Sequence, residues 1–204
     1  TGAITLGANA TLLATNASAV ITTQNTINSD GTPRGLTLNS SGGGSLILNG
    51  AVGNTAALTN LTLNATAITL NVSSANTTGN QTYTGAVTLG AGTTLTASNV
   101  TTTSGSALTG AGNSLNVSGN AYVGGDVSAV NVLNVSGTTL LNANISTTGN
   151  QTYTGAMTVA TNATLAASGN SAVINLAGTL DGDTAAAKVL NITATGTAAK
   201  VVLG

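Results

Sequence analysis

The chain has 204 residues, of which only 3% are charged and 1% are aromatic, and its net charge is -1 at pH 7. A soluble domain usually has roughly 25% charged residues, so this chain offers little electrostatic attraction for nucleic acid or an anionic membrane surface. It contains no Cys and no His, which excludes a disulfide framework, thiolate or imidazole metal sites and histidine-based catalytic triads.

The first 72 residues alternate between short strand candidates and turns. The candidates are residues 4–6, 11–14, 19–23, 36–38, 45–48, 58–63 and 67–72. Residues 30–35, which contain Asp-Gly and Pro-Arg-Gly, predict a protruding loop, and residues 41–44 (Ser-Gly-Gly-Gly) and 53–54 (Gly-Asn) interrupt the strands. Because no apolar pattern of helical period persists for three turns, the sequence predicts an all-β protein with no significant α-helix.

Residues 77–89 form a unit that returns almost unchanged seventy residues later, as residues 147–159. Both copies read Gly-Asn-Gln-Thr-Tyr-Thr-Gly-Ala, followed by an apolar residue, Thr and another apolar residue. Alternation of inward and outward positions predicts a β-strand, and the leading Gly-Asn predicts a turn. The chain also opens within this unit, so imperfect repeats start near residues 1, 77 and 147. We therefore interpret residues 1–204 as one continuous segment of a larger repetitive protein.

A shorter echo has the length of one solenoid coil. Leu-Asn-Val-Ser-Gly occurs at residues 115–119 and again at 133–137, eighteen residues later. A β-sandwich or an up-and-down barrel uses each strand once in a unique place, whereas a solenoid stacks like on like. The repeats therefore favour a parallel β-helix (β-solenoid) of about ten coils at about 20 residues a coil, with stacked Asn side chains forming amide ladders. Seventy residues are not a whole number of such coils, so we expect loop lengths to vary.

The repeats also predict which side chains form the core. We expect the following residues to point inward and to stack on their counterparts in adjacent coils: Val87, Leu89, Leu95, Met157, Val159 and Leu165. Tyr83 and Tyr153 share one repeat position, so we expect them to pack near turns with their hydroxyl groups at the surface. Tyr122 stands alone and indicates little. After the second copy, the strand candidates are residues 172–176, 189–193 and 200–203.

The repeated core at residues 81–87 and 151–157 resembles the repeats of filamentous-haemagglutinin-like exoproteins, as do Gly-Ala-Val-Gly-Asn at residues 50–54 and Leu-Thr-Asn-Leu-Thr at 58–62. These are long bacterial surface adhesins of the two-partner-secretion or autotransporter type. The resemblance covers most of the chain and implies a right-handed β-helix located outside the cell or at the bacterial cell surface. It implies a non-catalytic shaft of a secreted adhesin or biofilm-matrix protein that mediates attachment. The implied partners are an outer-membrane secretion protein, neighbouring coils of the parent protein, and an extracellular polysaccharide or cell-surface receptor.

Few residues are available for catalysis. The only carboxylates are those of Asp30, Asp126, Asp181 and Asp183, and only the last two lie close together in sequence. Polysaccharide lyases and hydrolases built on β-helices use carboxylates, but Asp-Gly-Asp is typical of a solvated loop tip, and a calcium site needs about six oxygen ligands. We therefore predict that the chain is not an enzyme, has no catalytic, cofactor-binding or metal-binding residue and needs no cofactor.

Other functions stay open beside the shaft. A carbohydrate-binding or polysaccharide-processing module would have the same sequence features. Thr-rich solenoids can also bind ice through a flat face that presents Thr-x-Thr in every coil, but Thr82-Tyr83-Thr84 recurs at seventy residues and not at coil spacing, so we expect no continuous Thr-x-Thr row. Fifteen Asn-x-Ser/Thr sequons supply glycosylation acceptors without establishing modification. Open strand edges at the ends of such a segment favour end-to-end or lateral self-association.

Overall fold

A computed structural model describes residues 2–204, which form 22 β-strands and no helix. The strands are β1 (Ile4–Leu6), β2 (Ala10–Leu13), β3 (Val20–Thr23), β4 (Ile27–Ser29), β5 (Leu36–Leu48), β6 (Leu61–Leu70), β7 (Ser74–Asn76), β8 (Asn80–Leu89), β9 (Thr93–Thr102), β10 (Leu108–Thr109), β11 (Leu115–Val123), β12 (Val127–Val130), β13 (Leu133–Val135), β14 (Thr139–Leu141), β15 (Ile145–Thr147), β16 (Gln151–Tyr153), β17 (Met157–Val159), β18 (Ala163–Ala167), β19 (Val173–Leu176), β20 (Leu180–Gly182), β21 (Leu190–Ala194) and β22 (Lys200–Leu203). Within these residues every strand pairing is parallel. No helix in the described part of the chain could span a membrane. The predicted parallel β-solenoid is confirmed.

The chain winds through three sheet faces in a fixed order. Face 1 contains β2, β14, β17, β20, the first halves of β5, β6 and β8, and the second halves of β9 and β11. Face 2 contains β3, β10, β12, β15, β18, β21 and the second halves of β5, β6 and β8. Face 3 contains β1, β4, β7, β13, β16, β19, β22 and the first halves of β9 and β11. Five strands are long because each turns a corner as one continuous strand, and their pairings with one another shift register at these corners.

The solenoid has about nine turns, against the ten expected from a coil of about 20 residues. The difference comes from unequal turn lengths. Leu115 pairs with Leu133, eighteen residues later, whereas Leu176 pairs with Leu203, twenty-seven residues later. Loop lengths therefore vary as expected.

Apolar side chains of all three faces fill a continuous interior. The six residues predicted to point inward are all buried, with at most 3% of each exposed: Val87, Leu89, Leu95, Met157, Val159 and Leu165. Leu89 pairs with Leu70 of the preceding turn, and Leu165 pairs with Ile145 and Ile192 on either side. Since each fully buried aliphatic side chain contributes roughly 1.5–3 kcal/mol, like-on-like stacking of this kind stabilises every turn through its neighbours.

The two copies of the seventy-residue unit lie on different faces of the solenoid as well as in different turns. In the copy that begins near residue 77, Val87 lies on face 2, whereas the corresponding Met157 lies on face 1. Ile4, which occupies the same position in the partial copy at the start, lies on face 3. The path from Val87 to Met157 covers three turns and two further faces. Variable loop length is therefore only part of the reason why seventy residues are not a whole number of turns. One sequence unit therefore fits all three faces.

Glycine allows two of the corners to be tight. Gly85 has φ +119° where β8 passes from face 1 to face 2, and a Cβ there would collide with the carbonyl oxygen of Ala65 in the turn below. This is a backbone conformation that L side chains rarely adopt. Four glycines form a column at the corner between faces 3 and 1, where a Cβ on each of the last three would press on the glycine of the preceding turn: Gly119, Gly137, Gly155 and Gly178.

Three local predictions were wrong or incomplete. Residues 41–44 do not end a strand, because β5 continues through them with a register shift on its pairing with β6. Asp181 and Gly182 lie in β20 rather than at a loop tip, because β17 supplies them with a parallel partner strand. Several short strands were not predicted from the sequence, among them β7, β12 and β4, whose Ile27 has only 2% of its surface exposed.

The amide ladders predicted for stacked Asn residues are present. On face 1, Asn99 Nδ2 donates to Asn80 Oδ1 at 2.9 Å and Asn120 Nδ2 donates to Asn99 Oδ1 at 3.2 Å. On face 3, Asn134 Nδ2 donates to Asn116 Oδ1 at 2.7 Å. These bonds run along the solenoid axis, so they reinforce the same turn-to-turn contacts as the backbone ladders.

Candidate functional site

Four of the seven charged residues form two separate local ion pairs. The guanidinium group of Arg34 donates to both carboxylate oxygens of Asp30, at 2.9 and 3.1 Å, and these bonds hold the pKa of Asp30 below its usual value. Lys188 Nζ lies 3.1 Å from Asp183 Oδ1. Among residues 2–204 no group of three or more His, Cys, Asp or Glu side chains could hold a metal ion.

The structure does not bring Asp181 and Asp183 together as a site. Asp181 is exposed on the outside of face 1, beside Thr158 of the preceding turn, whereas Asp183 follows β20 and is paired with Lys188. The prediction that neither residue is catalytic stays a prediction.

Asp126 lies at a second location, in a corner groove of about 370 Å³. Its Oδ1 accepts hydrogen bonds from the backbone N and the Nδ2 of Asn144, at 2.9 and 3.2 Å. The carboxylate therefore fastens one turn to the next, and a single carboxylate supplies too few oxygen ligands for a calcium ion.

The prediction for the repeated tyrosines was wrong: the hydroxyl groups of Tyr83 and Tyr153 lie inside the solenoid. Both residues are at most 1% exposed, one on face 1 and the other on face 3. Tyr83 Oη donates to Gln81 Oε1 at 2.8 Å, and Tyr153 Oη donates to Gln151 Oε1 at 2.9 Å. Burial raises the pKa of both phenols, which therefore keep the proton that they donate.

Each buried Gln–Tyr pair satisfies its own polar atoms. Gln81 Nε2 donates to the carbonyl oxygens of Ala75 and Thr96, at 2.8 and 3.0 Å, while its Oε1 accepts from the tyrosine. On face 3, Gln151 Nε2 donates to Thr147 Oγ1 and to the carbonyl oxygen of Ala166, at 3.2 and 2.6 Å, while its Oε1 accepts from Tyr153. The pairs are therefore part of the core and present nothing to a ligand.

An apolar cavity of about 40 Å³ lies inside the described part of the chain, near Leu95, Leu108 and Leu133. Ligand pockets are usually several hundred Å³. This cavity is therefore too small for an organic ligand, and the outer surface is the next place to look for a binding site.

A larger groove of about 420 Å³ lies on the outside of face 1, around Tyr122. Its outward side chains are Asn99, Thr101, Asn120, Tyr122, Thr138 and Leu140. Tyr122 is the one aromatic residue of the chain that is not buried. Leu140 is 37% exposed, and it is the only exposed large apolar residue outside the first and last turns of the described chain.

Tyr122 and Leu140 follow each other in one outward row. Thr101 pairs with Tyr122, Tyr122 pairs with Leu140, and Leu140 pairs with Thr158. The sequence contained a signal for this arrangement, because the apolar neighbours of Tyr122, at positions 121 and 123, alternate as inward residues do. We name the groove and its six outward side chains the Tyr122 groove.

The same row tests the expectation that no Thr-x-Thr row is continuous. Five turns of face 1 place a Thr at this position: Thr11, Thr37, Thr62, Thr82 and Thr101. The neighbouring outward row contains Asn39, Asn64 and then Thr84, so Thr-x-Thr occurs at Thr82-Tyr83-Thr84 but not in the two turns before it. A single Thr row is therefore continuous, whereas the Thr-x-Thr pattern of an ice-binding face is interrupted, as expected.

Comparisons with known protein families, with curated proteins and with solved structures gave no match. The structure alone supports a β-solenoid, a fold that is compatible with several functions.

Proposed function

We propose that this chain is a non-catalytic structural shaft of a secreted bacterial surface adhesin or biofilm-matrix protein. The observation that carries the proposal is the movement of one sequence unit across all three faces. A catalytic or receptor site requires unlike side chains at one place, whereas a rod requires interchangeable turns.

The surface chemistry also supports a shaft. Seven charged residues in 204 give little long-range steering toward a partner, and the carboxylates are dispersed. Backbone ladders, amide ladders and stacked apolar rows hold every turn to the next, so mechanical load would be shared along the axis. About nine turns at roughly 4.8 Å per turn span about 43 Å.

The family and the location are parts of the same proposal. The resemblance of residues 81–87 and 151–157 to filamentous-haemagglutinin-like repeats supports a right-handed winding, an outer-membrane secretion partner and a place at the cell surface. A secretion domain near the N-terminus of the parent protein would agree with this assignment. The sequence of the complete parent protein would test it.

A reach experiment tests the shaft itself. Residues 115–132 fill one turn, so duplicating them adds a turn in register. We expect a reporter domain, fused beyond the chain and anchored to an outer membrane at the other end, to move outward by about 4.8 Å per added turn. An insertion of eighteen Gly and Ser residues is the control and should give no fixed gain in distance.

Energy transfer between labels on the membrane and the reporter measures this distance over a series of one to four added turns. A distance that does not increase with the number of turns would refute a rigid spacer. Polysaccharide cleavage by the purified chain would refute the non-catalytic part of the proposal.

A further inference from the structure

We propose that the Tyr122 groove binds a neutral polysaccharide, with a sugar ring stacked on Tyr122 and Leu140. This inference goes beyond the shaft and does not depend on it, since a rod without a binding groove would still be a shaft. The site is assigned from the outward rows of face 1, where two turns depart from the residues found in the turns around them.

The departure is confined to the outward row, and the inward neighbours Ala121, Val123 and Leu141 stay buried. Five earlier turns place Thr in this outward row, and Thr158 restores it after Leu140. Thr fits a solvated strand surface well. Tyr122 and Leu140 instead present adjoining apolar surface to solvent on consecutive turns, and Leu140 is 37% exposed. The adjoining side chains of Tyr122 and Leu140 form an apolar surface that suits the apolar face of a pyranose ring.

Hydrogen-bonding groups line the same groove. Asn99 and Asn120 each donate one N–H of the amide along the ladder, which leaves the second N–H of each free to point at a ligand. Asn120 Oδ1 holds the backbone N of Thr138 at 2.9 Å, so the amide is fixed in orientation. A fixed amide beside an aromatic ring provides the combination of apolar and polar contacts that a sugar requires.

The geometry points to an extended chain rather than a single sugar. Successive turns repeat at about 4.8 Å, which is close to the length of one pyranose unit. The groove spans three turns, from Asn99 and Thr101 to Thr138 and Leu140. Consecutive sugars could therefore lie along the solenoid axis.

Charge decides between neutral and anionic polysaccharides. None of the six outward side chains is charged, and the net charge of the chain is -1. An acidic polysaccharide would need Lys or Arg in the groove to replace its counterions. A neutral polymer such as a glucan, a mannan or chitin has no charge that the groove would need to compensate.

The test measures retention of the purified chain on insoluble cellulose, chitin and mannan and titrates the corresponding hexasaccharides by calorimetry. Tyr122→Thr restores the residue that the same row has in other turns, so it preserves the fold, and Leu140→Thr does the same one turn later. We expect each to weaken binding about tenfold. Tyr122→Phe should keep most of the affinity because it keeps the ring. Thr88→Ala, on the exposed surface of face 2, is the matched control and should bind like the parent chain.

Binding of at least one neutral polymer that is weakened by Tyr122→Thr and not by Thr88→Ala supports the site. Four results would overturn it: no binding to any of the three polymers, binding that both Thr variants leave unchanged, binding only to an acidic polysaccharide such as alginate with strong salt dependence, or association between copies of the chain that Tyr122→Thr abolishes while sugar binding is absent. The reach experiment on added turns is unaffected by all four, so failure of the groove and failure of the shaft are separate results.

Discussion

Removing the hydroxyl group of Tyr83 should destabilise the solenoid although the ring stays in place. Tyr83→Phe leaves Gln81 Oε1 buried without the donor that now lies 2.8 Å away. A buried acceptor that loses its partner costs about 1–3 kcal/mol. With a slope of about 2 kcal/mol per molar urea, the unfolding midpoint should fall by roughly 0.5–1.5 M.

A double-mutant cycle separates this hydrogen bond from the packing of the ring. Gln81→Leu introduces the residue that the preceding turn has in the same row, Leu61. In that background the buried Tyr83 hydroxyl has lost its acceptor, so Tyr83→Phe strands no group and should be neutral or slightly stabilising. We expect a coupling energy of about 1–2 kcal/mol, from urea unfolding of the parent, both single variants and the double variant followed by far-UV circular dichroism.

The second pair provides an internal replicate. Tyr153 Oη donates to Gln151 Oε1 at 2.9 Å on face 3, and both side chains are fully buried. If one sequence unit is equivalent on different faces, the cycle at Gln151–Tyr153 should give a coupling of the same sign and similar size. Additive effects at both pairs, or a loss below about 0.5 kcal/mol for Tyr83→Phe, would refute the reasoning.

Three further predictions follow from the described contacts. Gly85→Ala should destabilise the chain by about 1–3 kcal/mol because φ is +119°. By contrast, Gly92→Ala should change the urea midpoint little, because a Cβ there would meet only the carbonyl oxygen of Ser114, at 4.0 Å. Thr139→Val should raise the free energy of unfolding by about 1 kcal/mol, because the buried Thr139 hydroxyl has no partner. Thr93→Val should lower it, because the Thr93 hydroxyl donates to backbone carbonyl oxygens at 2.8 and 3.0 Å; equal effects of the two Val variants would contradict this. Above about pH 10 the unfolded phenols lose their protons while the two buried ones keep them, so stability should fall by about 1.4 kcal/mol per pH unit for each buried tyrosine. Urea midpoints that stay level between pH 10 and pH 11 would contradict that.

The sequence was sufficient to predict the architecture because the period of two is a local property. The alternation around Val87 and Leu89 determines which side chains face inward, and the eighteen-residue echo at residues 115–119 and 133–137 gives a register that the structure reproduces pair by pair. Both signals need only short segments of chain.

The errors arose where a residue's environment depends on other turns. The tyrosine of the repeat follows an inward Gln by two positions, and only the structure showed that the amide could satisfy a buried hydroxyl. Asp181 and Gly182 look like a turn by themselves, but β17 supplies a partner strand. The movement of the repeat among faces requires the lengths of all the intervening turns, which no single motif contains.

The inside and the outside of this solenoid are under different constraints. An inward row has to fit the rows of two neighbouring turns, so a change from Leu61 to Gln81 is accompanied by a complete set of internal hydrogen bonds. An outward row has no such requirement beyond strand propensity, and on face 1 it is Thr for five successive turns. Residues that leave such a pattern in an outward row, where the interior does not require them, point to selection by something outside the chain. On that argument Tyr122 and Leu140 are the places to look for a ligand, whereas the more conspicuous repeated tyrosines are explained by the core alone.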